Sequence, residues 1–202
     1  MVLLMLVAVS GTGKSSIARR LLERNPRLRL SVSHTTRPPR HGEIHGKHYI
    51  FVSRDEFEAV RVNGGFAEWA EYVGNRYGTA RTTIELAKRD GFDLIFDIEV
   101  QGAEQLKSAY PMARSIFILP PSWAGLRARL VGRGTETEAS VERRLARGRA
   151  ELNFASGFDH LVVNDNLDHC VEHIERIYQG TAEPSTAADV KLQELLAYRG
   201  DA

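Results

Sequence analysis

Cysteine, lysine and net charge are all scarce in this chain: one Cys, 5 Lys against 22 Arg, and a net charge of +1 across 202 residues. The lone Cys170 leaves no partner for an intrachain disulfide, so a reducing cytosol is the expected home. A charge near zero excludes a global field able to hold nucleic acid or an anionic membrane, and neither is expected as a partner. No apolar run approaches the roughly 20 residues that a membrane span requires. The run from Val2 to Val9 lacks the basic leader and small-residue cleavage site of a secretion signal, and reads as a buried first strand. The lysine deficit has two readings. Genome composition is one; the other is arginine's fixed two-pronged grip on phosphate, which lysine cannot supply. Hydrophobic content of 43% and charged content of 26% describe a soluble globular chain with one good core and room for small inserted subdomains.

Short apolar runs alternate with helical patterns. After Val2–Val9 come Asp93–Ile98, Ser115–Leu119 (stopped by Pro120-Pro121) and His160–Asn164. Strands of this kind, separated by helices, predict an α/β fold with a parallel sheet covered on both faces. Leu30 to Thr79 differs: it is rich in turns, with β-like pieces such as Tyr49–Val52, and predicts an insertion with its own small sheet. Within it Ser53-Arg54-Asp55-Glu56 forms a capping box that opens a short helix through Phe57 and Val60. A second insertion, from Ser122 to Phe158, carries two helical patterns around Gly132-Arg133-Gly134 and reads as a hinged lid. Gly180 to Thr186 is linker-like, and Ala187 to Tyr198 fits a terminal helix. No internal repeat is visible.

Chemistry concentrates first at Ser10-Gly11-Thr12-Gly13-Lys14-Ser15, between the first strand and a helical pattern. Glycines let successive backbone N–H groups converge on one anion, and the helix N-terminus adds its positive end. Lys14 would reach the outer phosphates of a nucleoside triphosphate, with the Ser15 hydroxyl on its Mg²⁺. The alternative is an ordinary strand-to-helix turn with a solvated lysine. The full pattern asks for glycine five positions before Gly13, where this chain has Ala8, followed by Val9.

Asp97 ends an apolar strand, at the sheet edge where α/β folds bind ligands, and suits Mg²⁺ or its bound water. Glu99 follows two residues later, so strand alternation would let both carboxylates face one side. The alternative makes them caps of a helix starting near Gln101. Ser31 to Arg40 places Arg37 and Arg40 around two stiffening prolines, an arrangement suited to a phosphomonoester, with Tyr49 and Tyr77 as neutral donors. A solvated basic loop is the alternative. His41, His45 and His48 invite a metal reading but fall in a turn-rich loop without a cysteine partner. Trp69 and Phe66 read as packing residues. Arg143 and Arg147 read as a solvated helix face.

Taken together, Ser31–Arg40, Gly46-Lys47-His48-Tyr49, Glu68–Tyr72, Gly74–Thr79, Asp97-Ile98-Glu99, Gly132–Thr137 and Val162–Asp165 resemble the guanylate kinases, in the right order from the phosphate loop nearly to Tyr178. The resemblance implies a P-loop kinase core over 1–32, 80–121 and 158–180, a GMP-binding subdomain over 33–79, a helical lid over 122–157 and a tail over 181–202. It implies Mg²⁺-dependent transfer of the ATP γ-phosphate to GMP, with dGMP as a further acceptor, in purine nucleotide metabolism. By the same resemblance Arg37, Arg40, Tyr49 and Tyr77 bind the GMP phosphate. Ser33, Glu68, Thr79 and Glu99 read guanine. Ala8, Val9, Ser10, Gly11, Thr12, Gly13, Lys14 and Ser15 surround ATP, Asp97 lies near the metal, Asn164 lies on the adenine side, and Arg129, Arg133 and Arg144 come in from the lid.

Hydrogen-bond chemistry agrees. Guanine offers N1–H and N2–H₂ donors beside an O6 acceptor, which one carboxylate and two hydroxyls match. The family usually carries Gly and Pro where Ala8 and Val9 stand. If that position needs positive φ, alanine is strained by about 1 kcal/mol or more, and weakened ATP binding is expected. Two rival readings are a guanylate-kinase-like interaction module and a kinase acting on a phosphorylated sugar. The retained Lys14, Asp97 and lid arginines oppose the first; Glu68 with Ser33 and Thr79 opposes the second. The sequence leaves the oligomeric state open.

Overall fold

The structure, a computed structural model, describes residues 1–132, 137–183 and 185–198. In chain order its first elements are β1 (Leu3–Ala8), α1 (Lys14–Arg24), β2 (Leu28–Leu30), β3 (His34–Thr35), β4 (Ile50–Phe51), α2 (Arg54–Val62), β5 (Phe66–Tyr72), β6 (Asn75–Ala80) and α3 (Arg81–Arg89). They are followed by β7 (Asp93–Asp97), α4 (Val100–Ala109), β8 (Arg114–Leu119), α5 (Trp123–Val131), α6 (Glu138–Leu152), β9 (His160–Val163), α7 (Leu167–Gln179) and α8 (Thr186–Ala197). The larger sheet has the order β2-β7-β1-β8-β9, with β2 parallel to β7 and β8 parallel to β9. Every residue of β1 is buried, which is why that strand reads as an unbroken apolar run. The expected α/β architecture with a parallel sheet is therefore present. Among the described residues no helix is long and apolar enough to cross a membrane.

The chain divides into two compact units, residues 1–5 with 25–113 and residues 6–24 with 114–202. The first holds a small second sheet in the order β4-β3-β6-β5. One face of that sheet is closed by α2. Ser53 caps this helix by accepting from the Glu56 N–H, and Glu56 reaches back to the Ser53 N–H, so the capping box is complete. Phe57 on α2 then packs on Phe66 and Ala80, with Phe57 and Phe66 ring centroids 4.4 Å apart. Val52, Val60 and Trp69 border this cluster, as expected of a packing tryptophan.

In the second unit α5, α6, α7 and α8 each start on a side-chain cap. Ser122 accepts from Gly125, Thr137 from Ser140, Asn166 from Asp168 and His169, and Ser185 from Ala188. Helix α7 ends at Gly180, whose φ of 78° is cheap only for glycine. The terminal helix α8 forms where periodicity placed it. It is tied to α5 through the buried Trp123 indole N–H, which donates to Leu195 O at 3.0 Å.

One expectation is corrected here. Ala8 is the last residue of β1, and among the described residues Val73 is the only non-glycine with positive φ. The left-handed geometry of the phosphate turn falls instead on Gly11 and Gly13, with φ of 95° and 104°. Alanine at position 8 is therefore unstrained, and the premise for weakened ATP binding disappears. Ala8→Gly should lower stability by about 0.5–1 kcal/mol in urea denaturation, because glycine adds only unfolded-state freedom to a strand. A stabilised variant would contradict the assignment.

Candidate active site

The small sheet gathers most of the predicted acceptor residues through its pairing register and one bulge in β5. Cross-strand partners are Glu68 with Thr79, Thr35 with Tyr77, and Thr35 with Phe51. Paired residues share a face and side chains two apart follow them, which puts Ser33, Tyr49, Tyr77 and Thr79 with Glu68; a bulge between Phe66 and Glu68 turns Phe66 to the opposite face, with the Phe57 cluster. The Ser33 and Thr79 hydroxyl oxygens lie 3.5 Å apart, and the Tyr49 and Tyr77 rings meet edge-on at 5.9 Å. Glu68 is 3% exposed, and its Oε1 meets no hydrogen-bond partner among the described residues. Burial pushes its carboxyl above the usual range, while the Thr79 hydroxyl and backbone N–H pull it back. Burial, then the Asp97 charge, pushes the Tyr49 phenol up.

Asp97 ends β7 in an exposed position, whereas Glu99 is half-buried. The strand stops at Asp97, so alternation does not carry on to Glu99 as expected. Glu99 is the N-cap residue of α4, yet its side chain makes no capping bond. The three loop histidines are exposed, and His48 Nδ1 accepts from the Ile44 N–H at 3.0 Å.

In the second unit the turn after β1 has the expected cradle geometry. Thr12 N–H donates to Val9 O at 3.1 Å, and the amides of Ser16 and Ile17 return to Gly13 O, opening α1 at Lys14. Both loop glycines also permit close packing. A Cβ on Gly11 would lie 2.7 Å from Leu130 Cδ2, and one on Gly13 would lie 2.8 Å from Asn164 Nδ2. Ala8 and Val9 are buried, so a nucleotide would meet backbone there rather than side chains. Lys14 is half-buried and Ser15 exposed, both in the first turn of α1.

Asn164 is 5% exposed and its amide donates to Thr12 O at 2.6 Å, so this side chain braces the loop. Arg129 donates to Thr12 O at 3.3 Å and to Asn164 O at 2.9 Å, binding α5 to the same loop. Arg144 Nη1 approaches Ser10 Oγ at 3.5 Å. Arg133, with Gly134, Thr135 and Glu136, lies outside the described residues. Arg147 pairs with Glu151 one helical turn away, in line with a helix-face role.

Arg37 and Arg40 behave unequally, and the reason is a residue the sequence did not single out. Arg37 is held with its side chain 11% exposed: Nη2 donates to Glu43 Oε1 at 2.8 Å and Nη1 to Pro38 O at 2.7 Å. The second oxygen of Glu43 accepts from the Arg40 backbone N–H at 2.7 Å, while the Arg40 side chain is exposed. One carboxylate therefore shapes the loop that carries both arginines. Its only sequence signal was an acid three residues after Arg40 in a turn. The Arg37 hydrogen bond, followed by the Arg40 backbone bond, holds the Glu43 carboxyl down from 4.5 to about 2. A depressed carboxyl contributes stability that is complete above its unfolded value and is lost as pH falls through its folded value. The wild type should thus exceed Glu43→Gln in urea midpoint at pH 7, with the gap narrowing from pH 4.5 towards about 2. A gap that stays constant with pH would contradict the pairing.

Comparison with known proteins agrees with this geometry. The family model described as guanylate kinase matches residues 1–181. The guanylate kinase of Thiobacillus denitrificans is 47% identical over 176 residues, covering 87% of this chain and 84% of that protein. That of Oleidesulfovibrio alaskensis is 45% identical over 195 residues, covering 96% of this chain and 95% of that protein. The crystal structure of guanylate kinase from Anaplasma phagocytophilum is similar with a TM-score of 0.72 at 33% identity, covering 98% of this chain and 94% of that one. The glycine turn after β1, the buried Glu68 carboxylate and the held Arg37 guanidinium accord with these likenesses, which place the chain in the guanylate kinase family.

Proposed function

We propose that the small-sheet face, within residues 33–79 and with Glu99, binds GMP, while the loop from Ala8 to Ser15 and arginines of the 122–157 lid bind ATP. The family's reaction is transfer of the ATP γ-phosphate to GMP, giving ADP and GDP. The observation that carries the residue assignment is Glu68: a carboxylate withdrawn from water, with one oxygen lacking a partner among the described residues, beside two hydroxyls.

Guanine N1–H and N2–H₂ donate to Glu68, while Ser33 and Thr79 can donate to O6. Adenine would instead turn a ring acceptor and a C–H edge towards the carboxylate. A net hydrogen bond is worth ~0.5–1.5 kcal/mol, whereas a buried charge left unmet costs on the order of 3 kcal/mol, so Glu68 dominates discrimination and the hydroxyls refine it. At the other end of the acceptor, Arg37 and Arg40 meet the phosphate, with Tyr49 and Tyr77 as neutral donors. Arg37 needs little ordering, because Glu43 and Pro38 already hold it.

On the donor side, loop amides and Lys14 hold the phosphates. Arg129, Arg133 and Arg144 are the proposed cations for the charge that spreads over the equatorial oxygens of the moving group. No covalent enzyme intermediate is required, since the acceptor is a phosphate oxygen of GMP. Ser15 and Asp97 are hard oxygen donors of the kind Mg²⁺ prefers, and are the proposed residues for it. Bound there, the ion would neutralise charge on the ATP phosphates.

A coupled assay of ADP release with GMP, AMP and a sugar phosphate in parallel tests the reading. GMP should be strongly preferred. Glu68→Gln should raise KM for GMP about 100-fold while leaving KM for ATP nearly unchanged, as expected for a loss of about 3 kcal/mol confined to the acceptor. Equal damage to both substrates would make Glu68 a structural residue. A preference for AMP would overturn the base-reading argument.

A further inference from the structure

Helix α4 carries a glycine where helix propensity argues against one. Gly102 is the third residue of α4, and it is not among the positive-φ glycines, so its backbone conformation does not require the missing side chain. Its surroundings do. A Cβ built on Gly102 would lie 2.5 Å from Glu68 Oε2 and 3.3 Å from Glu68 Cδ, closer than real Cβ atoms come to an oxygen. The missing methyl is the room in which the buried carboxylate sits.

Three residues further along the same helix, Gln105 reaches the strand next to Glu68. Its Oε1 accepts from the Trp69 N–H at 3.1 Å, and its Nε2 donates to Trp69 O at 2.7 Å. Strand β5 is an edge strand of the small sheet, so the Gln105 amide takes the place a neighbouring strand would hold. Spacing of three on a helix puts Gly102 and Gln105 on one face. That face thus meets β5 twice, once at the backbone of Trp69 and once at the carboxylate of Glu68.

We propose that α4 is the backstop of the base-reading carboxylate, with Gly102 a specificity-determining position for guanine and Gln105 a positioning residue. The proposal rests on the guanine reading of Glu68 and deepens it. A methyl group at position 102 moves the far end of the Glu68 side chain, displacing the oxygens that accept from N1–H and N2–H₂. Release of the Gln105 clamp lets the edge strand shift beneath the same side chain. Neither change touches the phosphate loop, so the signature is selective for the acceptor.

Gly102→Ala is the primary variant, because alanine is the better helix former and any loss of GMP affinity runs against helix propensity. Its KM for GMP should rise by about tenfold or more, with KM for ATP within about twofold of wild type, a free-energy difference confined to one substrate. In a Glu68→Gln background the same alanine should add little, since the two changes act on one group. Gln105→Ala supplies a second reading: KM for GMP should rise by about three- to tenfold with kcat little changed at saturating GMP. The proposal is overturned if folded Gly102→Ala keeps the wild-type KM for GMP, or if its effect persists at full size in the Glu68→Gln background. Should Gly102→Ala fail to fold, an unchanged KM for GMP in Gln105→Ala overturns it. Failure of the underlying reading looks different: Glu68→Gln would then harm ATP and GMP alike, which removes both.

Discussion

Keeping one ionisable carboxylate out of water is the constraint that organises the small sheet of this enzyme. A buried charge without partners is costly, and the protein accepts that cost only where a ligand can supply the missing donors. Glu68 is set at this position by the antiparallel register of β5 and β6, which places it across from Thr79. The opposite face of the same sheet is closed by Phe57, Phe66 and Ala80, so the strands have a core on one side and chemistry on the other. A slip of one residue in this pairing would exchange the two faces. The capping box at Ser53 therefore serves function indirectly, by fixing the helix that closes the apolar face.

The loop after β1 is built differently, from left-handed glycines and an arginine that ties it down. Gly11 and Gly13 provide the backbone geometry, and both are also sites of close packing against Leu130 and Asn164. Thr12 O is the meeting point, accepting from both Asn164 and Arg129. These bonds make the loop a braced structure rather than a flexible turn. Arginine serves here as it does at Arg37, where a fork of fixed donors joins a carbonyl and a carboxylate at once. The excess of Arg over Lys thus has a structural use at two separate places.

Much of this was legible in the sequence, because the relevant signals are local. The apolar runs became β1, β7, β8 and β9 within a residue or two, and the Ser53 capping box and the terminal helix formed as the pattern predicted. The residues proposed to bind GMP could be named because the motifs that carry them are specific. What sequence did not convey were contacts across long separations. Gly102 looks like an ordinary weak point in a helix until Glu68, 34 positions earlier, is seen against it. Glu43 looks like a surface acid until Arg37 is found on it. Motif position also says nothing of where the Asn164 amide points, and it donates to Thr12 O, 152 positions earlier. The expected strain at Ala8 failed for a related reason: a missing glycine in a pattern implies nothing unless the backbone there turns left-handed.

Carboxyl ¹³C NMR of Glu68, titrated with and without GMP, tests the central claim most directly. In the free protein the carboxyl should titrate above the ordinary glutamate range, because burial disfavours its charge. With GMP bound it should fall, since two donors then stabilise the ionised form. A Glu68 that titrates as an ordinary exposed glutamate, or whose titration ignores GMP, would contradict the account.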